Sequence, residues 1–204
     1  MSKSQLGQDL KVLSFYKEKK GGYFVEIGAS DGITLSNTYL LETQYGWNGI
    51  CVEPIPEFYT KLINNRPNSI CYDNAIYNCS NIIVEFDIAI NDELISGISA
   101  NLDLYKATVN KNKTTINVTT LSLNDLLDKS NAPHFIEYLS LDTEGSEYEI
   151  LKTLDFNKYT FGLIDVEHNY VEPRRSNIKK LLLANGYLYL GENKWDDMYK
   201  HASI

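Results

Sequence analysis

The chain of 204 residues has no concentration of positive charge. Its 19 Lys and Arg are outnumbered by 27 Asp and Glu, the formal net charge is −8, and basic runs stop at pairs such as Lys19-Lys20 and Arg174-Arg175. Phosphate backbones are bound by clustered cations, so no nucleic-acid partner is expected. Cysteine is scarce too. Cys51, Cys71 and Cys79 cannot all pair and form no C-x-x-C, which argues against a disulfide framework or a zinc site and predicts buried free thiols in a reducing compartment. No apolar run approaches a membrane span, and the opening MSKSQLGQDLKVL lacks the apolar centre of a signal peptide. The expectation is a cytoplasmic protein without a membrane partner, and the sequons at Asn78, Asn112 and Asn117 then count as chance. With no repeat or linker and 43% apolar residues, one domain over 1–204 with a full core is expected.

What the chain does have is organised around Tyr23 to Asn37, YFVEIGASDGITLSN. Tyr23, Phe24, Val25 and Ile27 predict a short buried strand, interrupted by the single acid Glu26. Gly28 and Asp31-Gly32 follow, where glycine allows a sharp turn and close approach of backbone to a ligand. Ser36 and Asn37 are good N-caps for the next helix. Strand, glycine loop and helix are the nucleotide-binding start of an open α/β sheet. The pattern here is E-x-G-x-x-x-G, one glycine short of the dinucleotide fingerprint.

Taken in order, residues 4–20 predict an N-terminal helix within 1–22, with Leu10, Leu13 and Phe15 as its apolar stripe and Gln5, Gln8 and Asp9 on the surface. Helix 37–45 leads to strand 47–52, which ends in Glu53. Glu53 follows Gly28 by 25 residues, near the offset of about 20 at which an acid takes the ribose hydroxyls. Pro56 fits the first position of helix 56–65, Arg66-Pro67-Asn68 reads as a turn, and strand 69–72 ends in Asp73, Asn74 and Ala75, beside an adenine ring in such a fold. Strands are predicted at 82–90 and 114–121, with a polar flap over the site at 91–113. Helix 122–128, strand 135–141, helix 146–154, strand 161–166, helix 173–185 and a terminal strand pair complete the chain. This alternation predicts a mostly parallel sheet with helices on both faces. Ligands bind outside the carboxyl ends of such strands. Those ends carry Gly28, Ser30 and Asp31, then Glu53, then Asp142 and Glu144, then Glu167, His168 and Asn169.

The segments SQLGQD, FVEIGASDGITLSNTYLLE, GWNGICVEP, YLSLDTEGSEYEILK and VEHN, with a later R…LL…GY, resemble the FkbM family of methyltransferases from Ser4 to about Tyr189. That family is similar to the class I S-adenosylmethionine-dependent enzymes, whose Rossmann-like fold has a seven-stranded sheet with a reversed final strand. The resemblance implies methyl transfer, usually to oxygen, on a glycan, sugar or small hydroxylated metabolite. It implies that Glu26 and Gly28 border the methionine part of the cofactor with Ser30 and Asp31 near by, that Glu53 holds the ribose, and that Asp73, Asn74 and Ala75 line the adenine.

Three readings of the acids stay open. Asp142 and Glu167 with His168 could bind Mg²⁺ or Ca²⁺, in partial similarity to metal-dependent catechol O-methyltransferases. Alternatively His168 is the general base, with Asp142 or Glu144 orienting the acceptor. Finally, the acids could only cap helices and hold loops. Two other functions compete: a catalytically silent nucleoside-binding module, and an NAD-dependent oxidoreductase, against which the missing glycine and the lack of a Y-x-x-x-K proton donor argue. Trp195 and Asp196-Asp197 could close the substrate side, although packing is the preferred reading for them.

Overall fold

A single acid inside an apolar strand has to find a partner, because an unpaired buried charge is far too costly to keep. The computed structural model, which describes residues 1–204, shows the partner and the frame around it. The elements are α1 (Gln8–Phe15), β1 (Tyr23–Ile27), α2 (Tyr39–Tyr45), β2 (Asn48–Val52), α3 (Pro56–Asn65) and β3 (Ser69–Tyr72). Then come β4 (Ala75–Tyr77), β5 (Ile83–Ala89), a 3₁₀ turn at Glu93–Ile95, β6 (Gly97–Ile98), α4 (Lys106–Val109) and β7 (Lys113–Ser122). The chain ends with α5 (Leu123–Lys129), β8 (Phe135–Leu141), α6 (Glu147–Leu151), β9 (Thr160–Glu167), α7 (Arg174–Ala184), β10 (Tyr187–Asn193) and β11 (Asp196–His201).

Seven strands form one sheet in the order β10-β11-β9-β8-β1-β2-β3. The strands from β9 to β3 are parallel, and β11 runs antiparallel to both β9 and β10. The chain builds outward from β1 on one side and then returns to place β8 on the other. Loops after β1 and β8 therefore diverge from neighbouring strand ends and open a crevice there. Alternation along β1 divides the core. Val25 and Ile27 pack with Leu126, Ile150 and Ile178 of α5, α6 and α7, while Phe24 packs with Val12, Leu41 and Leu62 of α1, α2 and α3. No helix is long and apolar enough to cross a membrane.

Three expectations need correction. α1 is shorter than 4–20, and it buries Gln8 and Asp9 with Val12 and Leu13, while Leu10 is 53% exposed. The polar pair is buried because both side chains are bonded: Gln8 Nε2 donates to Asp196 Oδ2 at 2.7 Å, and Asp9 Oδ1 accepts from Ser4 Oγ at 2.7 Å. The thiols are free, but only Cys51 is fully buried; Cys79, on the connection between β4 and β5, is exposed. Strands β4 to β7 form a second sheet in the order β4-β7-β5-β6, which local pattern did not reveal. The 91–113 segment is built onto that sheet, with Ile95, Leu102 and Val109 packed on Ala89 as a small core of their own.

The partner of Glu26 is Arg66, which is fully buried. Arg66 Nη1 lies 3.2 Å from Glu26 Oε2, Nε donates to Glu42 Oε2 at 2.6 Å, and Nη2 donates to Thr38 Oγ1 at 2.8 Å. Glu26 in turn accepts from the Asn37 amide at 2.6 Å and from Thr38 Oγ1 at 2.6 Å, so it caps the entry to α2 from inside the sheet. Arg66 Nη1 also reaches the Gly32 carbonyl at 3.3 Å. A Cβ at Gly32 would lie 2.7 Å from Arg66 Cγ, and Gly32 has φ 81°, so glycine is required twice over. Removing one member of such a group strands the others without water. Arg66→Met is expected to cost about 3–5 kcal/mol, read as a lower urea midpoint. A loss below about 1 kcal/mol would mean that the cluster behaves as a solvated surface pair.

Candidate functional site

The crevice at the carboxyl ends of β1, β2, β8 and β9 is a cavity of about 320 Å³. Its roof is the 92–98 stretch with Tyr105, from the region of the second sheet. The floor begins with Gly28, which has φ 88°. A Cβ there would sit 2.1 Å from the Asp142 carbonyl oxygen, so β1 and the loop after β8 can approach this closely only at a glycine.

Glu53 stands at the end of β2 and is 5% exposed. Its Oε2 accepts from the Ser30 amide at 2.9 Å and its Oε1 from the Ile55 amide at 2.8 Å. One carboxylate thus ties the glycine loop to the start of α3 and still keeps lone pairs free toward the cavity. Burial pushes its pKa up to about 7, against the lowering effect of the two backbone bonds.

Asp142, Glu144 and Glu167 converge on the far wall, with ligand oxygens within 4.8 Å of one another. Asn169 Nδ2 donates to Glu167 at 2.7 Å and to Glu144 at 3.2 Å. Burial raises all three acids: Asp142 to about 6 with repulsion from Asp196, Glu144 to about 9 with repulsion from Asp142, and Glu167 well above the usual carboxylate range with repulsion from Asp142 and Glu144. Asp165, one step back along β9, is raised to about 7 by burial, with Tyr138 Oη donating to it at 2.8 Å. Glu144 and Tyr170 adopt positive φ (55° and 58°), a backbone region disfavoured for residues with bulky side chains and often found where geometry serves a site.

The structure brings most of the expected residues together, but not all. Glu26, Gly28, Ser30, Glu53, Asn74, Ala75, Asp142, Glu144 and Glu167 border the cavity. Asp31 and Asp73 do not. Asp31 is spent on its own turn, accepting from the Ile33 and Thr34 amides at 2.9 and 2.7 Å. The carboxylate of Glu26 is committed to Arg66 and the entry to α2. His168 also falls outside the cavity, which corrects its place as general base and as metal ligand. Glu167 closes β9 facing the cavity, and the next residue points the other way. The His168 ring is held there, with Nε2 3.4 Å from Asp197 Oδ1 and Nδ1 accepting from the Tyr170 amide at 2.9 Å. Asp197 also binds Arg175 at 2.7 Å, and despite burial the His168 and Arg175 contacts hold it well below the usual carboxylate range.

Two wall residues were read as packing or surface groups. Trp195 and Asp196 line the cavity, joined to the N-terminal segment by Trp195 Nε1 to Gln5 Oε1 at 3.1 Å and by the Gln8–Asp196 bond. The available signal was the polar SQLGQD run, whose glutamines had no reason to precede a helix unless something bound them. Arg174 sits behind the wall. It pairs with Glu147 and, at 3.0 Å, with Asp103 of the 91–113 segment, and its Nη2 donates to the His168 carbonyl at 3.2 Å.

Comparison with known proteins agrees with this geometry. A family model described as Methyltransferase FkbM domain matches residues 26–189. No curated protein matches the chain. Among solved structures, a methyltransferase FkbM from Methylobacillus flagellatus KT aligns with TM-score 0.55 at 12% identity, over 89% of this chain and 44% of that one. A METTL16 MTase domain aligns with TM-score 0.54 at 10% identity, over 97% and 67%. A precorrin-6y C5,15-methyltransferase from Geobacter metallireducens GS-15 aligns with TM-score 0.51 at 10% identity, over 94% and 84%.

A pH dependence follows from the acids. Glu53, Asp142, Glu144, Asp165 and Glu167 hold protons more tightly folded than unfolded. The stability they contribute is complete below their unfolded values, near pH 4, and is lost as pH rises through about 6 to about 9. The ligand-free protein is therefore expected to melt several degrees lower at pH 9 than at pH 6, measured by scanning calorimetry at low salt. A melting temperature that rises over that interval would contradict the shifts.

Proposed function

This chain belongs to the FkbM-domain family of methyltransferases, and on that premise we propose that it uses S-adenosylmethionine to methylate a hydroxyl of a sugar, glycan or other small hydroxylated metabolite. The observation that carries the reading is the convergence of Glu53 and of the Asp142–Glu144–Glu167 group on one cavity, 320 Å³ in volume. The residues fit the cofactor. Gly28 leaves the floor open where a side chain would collide with the Asp142 carbonyl, and Glu53 presents a buried acceptor for a vicinal diol. Bound there, S-adenosylmethionine supplies a methyl group on a cationic sulfur.

The chain's own residues do the rest. Gly28 and Ser30 border the methionine side, and Asn74 and Ala75 with Phe58 and Ile76 offer the adenine side. Asp31 and Asp73 drop out of the cofactor set, and Glu26 shapes the loop from behind. Methyl transfer to a hydroxyl needs the acceptor oxygen held in line and relieved of its proton. The three acids are the groups within reach of a bound acceptor that can take that proton. Asp142, the least raised of them, is the first to be ionised at neutral pH. The roof over residues 92–98 keeps water out.

A second reading adds a divalent cation such as Mg²⁺, favoured by three carboxylates within 4.8 Å. Its ligand set would be Asp142, Glu144 and Glu167, hard oxygen donors suited to that ion, and His168 leaves it. The ion would lower the pKa of an acceptor hydroxyl.

Calorimetric titration with S-adenosylmethionine, S-adenosylhomocysteine and NAD tests the cofactor. The first two are expected to bind and NAD is not, and Glu53→Ala should weaken binding at least about tenfold, the worth of a charge-assisted hydrogen bond. Unchanged affinity in Glu53→Ala would remove that residue from the ribose site. Binding without turnover on a panel of hydroxylated acceptors would favour a silent nucleoside-binding module. Activity indifferent to EDTA and to added Mg²⁺ would reject the cation.

A further inference from the structure

The cavity has a one-sided charge. No Lys, Arg or His is among the 37 residues that line it. Glu26 and Glu53 are engaged with the glycine loop. Asp92 and Glu93 hang from the roof, Asp165 and Asp196 stand in the wall, and the Asp142–Glu144–Glu167 group closes the far end. The nearest cation behind that group, Arg174, does not line the cavity: it pairs with Asp103, Glu147 and the His168 carbonyl, and its charge only partly offsets Asp142 and Glu144. The nine acids of this lining account for the whole of the chain's net charge of −8, so the negative charge is concentrated at the cavity. A second, independent feature lies beside the acids. Ser146 is fully buried and borders the same cavity, yet its Oγ has no hydrogen-bond partner. A buried hydroxyl without a partner is rare unless a ligand supplies one.

We propose that this end of the cavity selects its methyl acceptor by charge, seating a cation at Asp142, Glu144 and Glu167 with Ser146 beside it, and excluding phosphorylated or carboxylated acceptors. The cation reaches the site in one of two ways: as a protonated amine on the acceptor, or as a divalent metal that bridges to acceptor hydroxyls. Both neutralise clustered carboxylates that are otherwise costly to ionise in a dry site. A phosphate or carboxylate would meet repulsion from several directions, with no guanidinium, ammonium or imidazolium in the lining to pair with it. The proposal extends the methyl-transfer reading of this site by naming the charge class of its acceptor.

The experiment titrates the full chain with Mn²⁺ alone, with glucosamine, with glucose and with glucose 6-phosphate, each with and without S-adenosylhomocysteine. Mn²⁺ or glucosamine is expected to bind, and glucose 6-phosphate to bind at least about tenfold more weakly than glucosamine. Mn²⁺ alone identifies a metal as the source, and glucosamine alone identifies the amine. The Glu144→Gln/Glu167→Gln double variant should lose at least about tenfold in cation affinity. If that variant does not fold, raising salt on the wild type gives the same answer, since screening weakens an electrostatic site. Glucose 6-phosphate binding as tightly as glucosamine, or neither cation binding at millimolar concentration, would overturn the proposal. Loss of S-adenosylhomocysteine binding with Mn²⁺ binding intact would instead overturn methyl transfer and leave the cation site standing.

Discussion

The structure depends on one buried guanidinium. Arg66 joins the last turn of α3 to Glu26 in β1, Glu42 in α2, Thr38 at the start of α2 and the carbonyl of Gly32. Those four attachment points are the two ends of the glycine loop and the helix it feeds. A planar fork with five donors can hold them at once, and a lysine could not. Once the loop is fixed from behind, its amides face forward. Ser30 then meets Glu53, and Gly28 can lie against the Asp142 carbonyl. The glycine-loop side of the cavity is thus set by a residue that does not touch it.

The acidic wall is built on the opposite principle. Around Arg66 every charge is answered, whereas Asp142, Glu144 and Glu167 lean on one amide, Asn169, and on each other. Like charges at this distance keep protons or recruit a cation. The roof adds to the effect, since excluding water strengthens every electrostatic interaction beneath it. Arg174 bridges Asp103 of the 91–113 segment and Glu147 at the start of α6, so the segment that carries the roof is tied to the helix that follows Asp142 and Glu144.

Local chemistry made part of this legible from sequence. β8 runs from Phe135 to Leu141 and α3 from Pro56 to Asn65 as expected, because a mostly apolar run that stops at Asp142 and an N1 proline mark their own ends. Glu53, Asp142 and Glu167 were legible for a similar reason: each is an acid where an apolar strand stops. The turn expected at Arg66-Pro67-Asn68 is present, with the Ser69 amide donating to the Arg66 carbonyl at 3.1 Å, but no neighbouring residue shows that the Arg66 side chain reaches back to β1. The second sheet was missed because β4 is three residues long and pairs with β7, more than forty residues away. His168 was misplaced by one step of strand alternation, since β9 continues through Glu167. Pairing and facing are tertiary facts, and composition carries only a shadow of them.

That division has a physical consequence for how stability and activity are linked. Arg66 and its partners are fully paired. The cavity wall, by contrast, holds raised carboxylates and the positive-φ residue Glu144. Raised carboxylates oppose folding at neutral pH, and a ligand that supplies positive charge relieves them. Occupation of the site should therefore tighten the wall rather than reshape the frame, because Arg66 and its partners are satisfied in either state. A fold that separates its anchors from its unsatisfied groups can vary the acidic wall through the 91–113 segment and the loops after β8 and β9 without loosening the glycine loop. The glycine-loop side of the cavity is constrained by packing and the acidic wall by charge, and the two meet at the close approach of Gly28 to the Asp142 carbonyl.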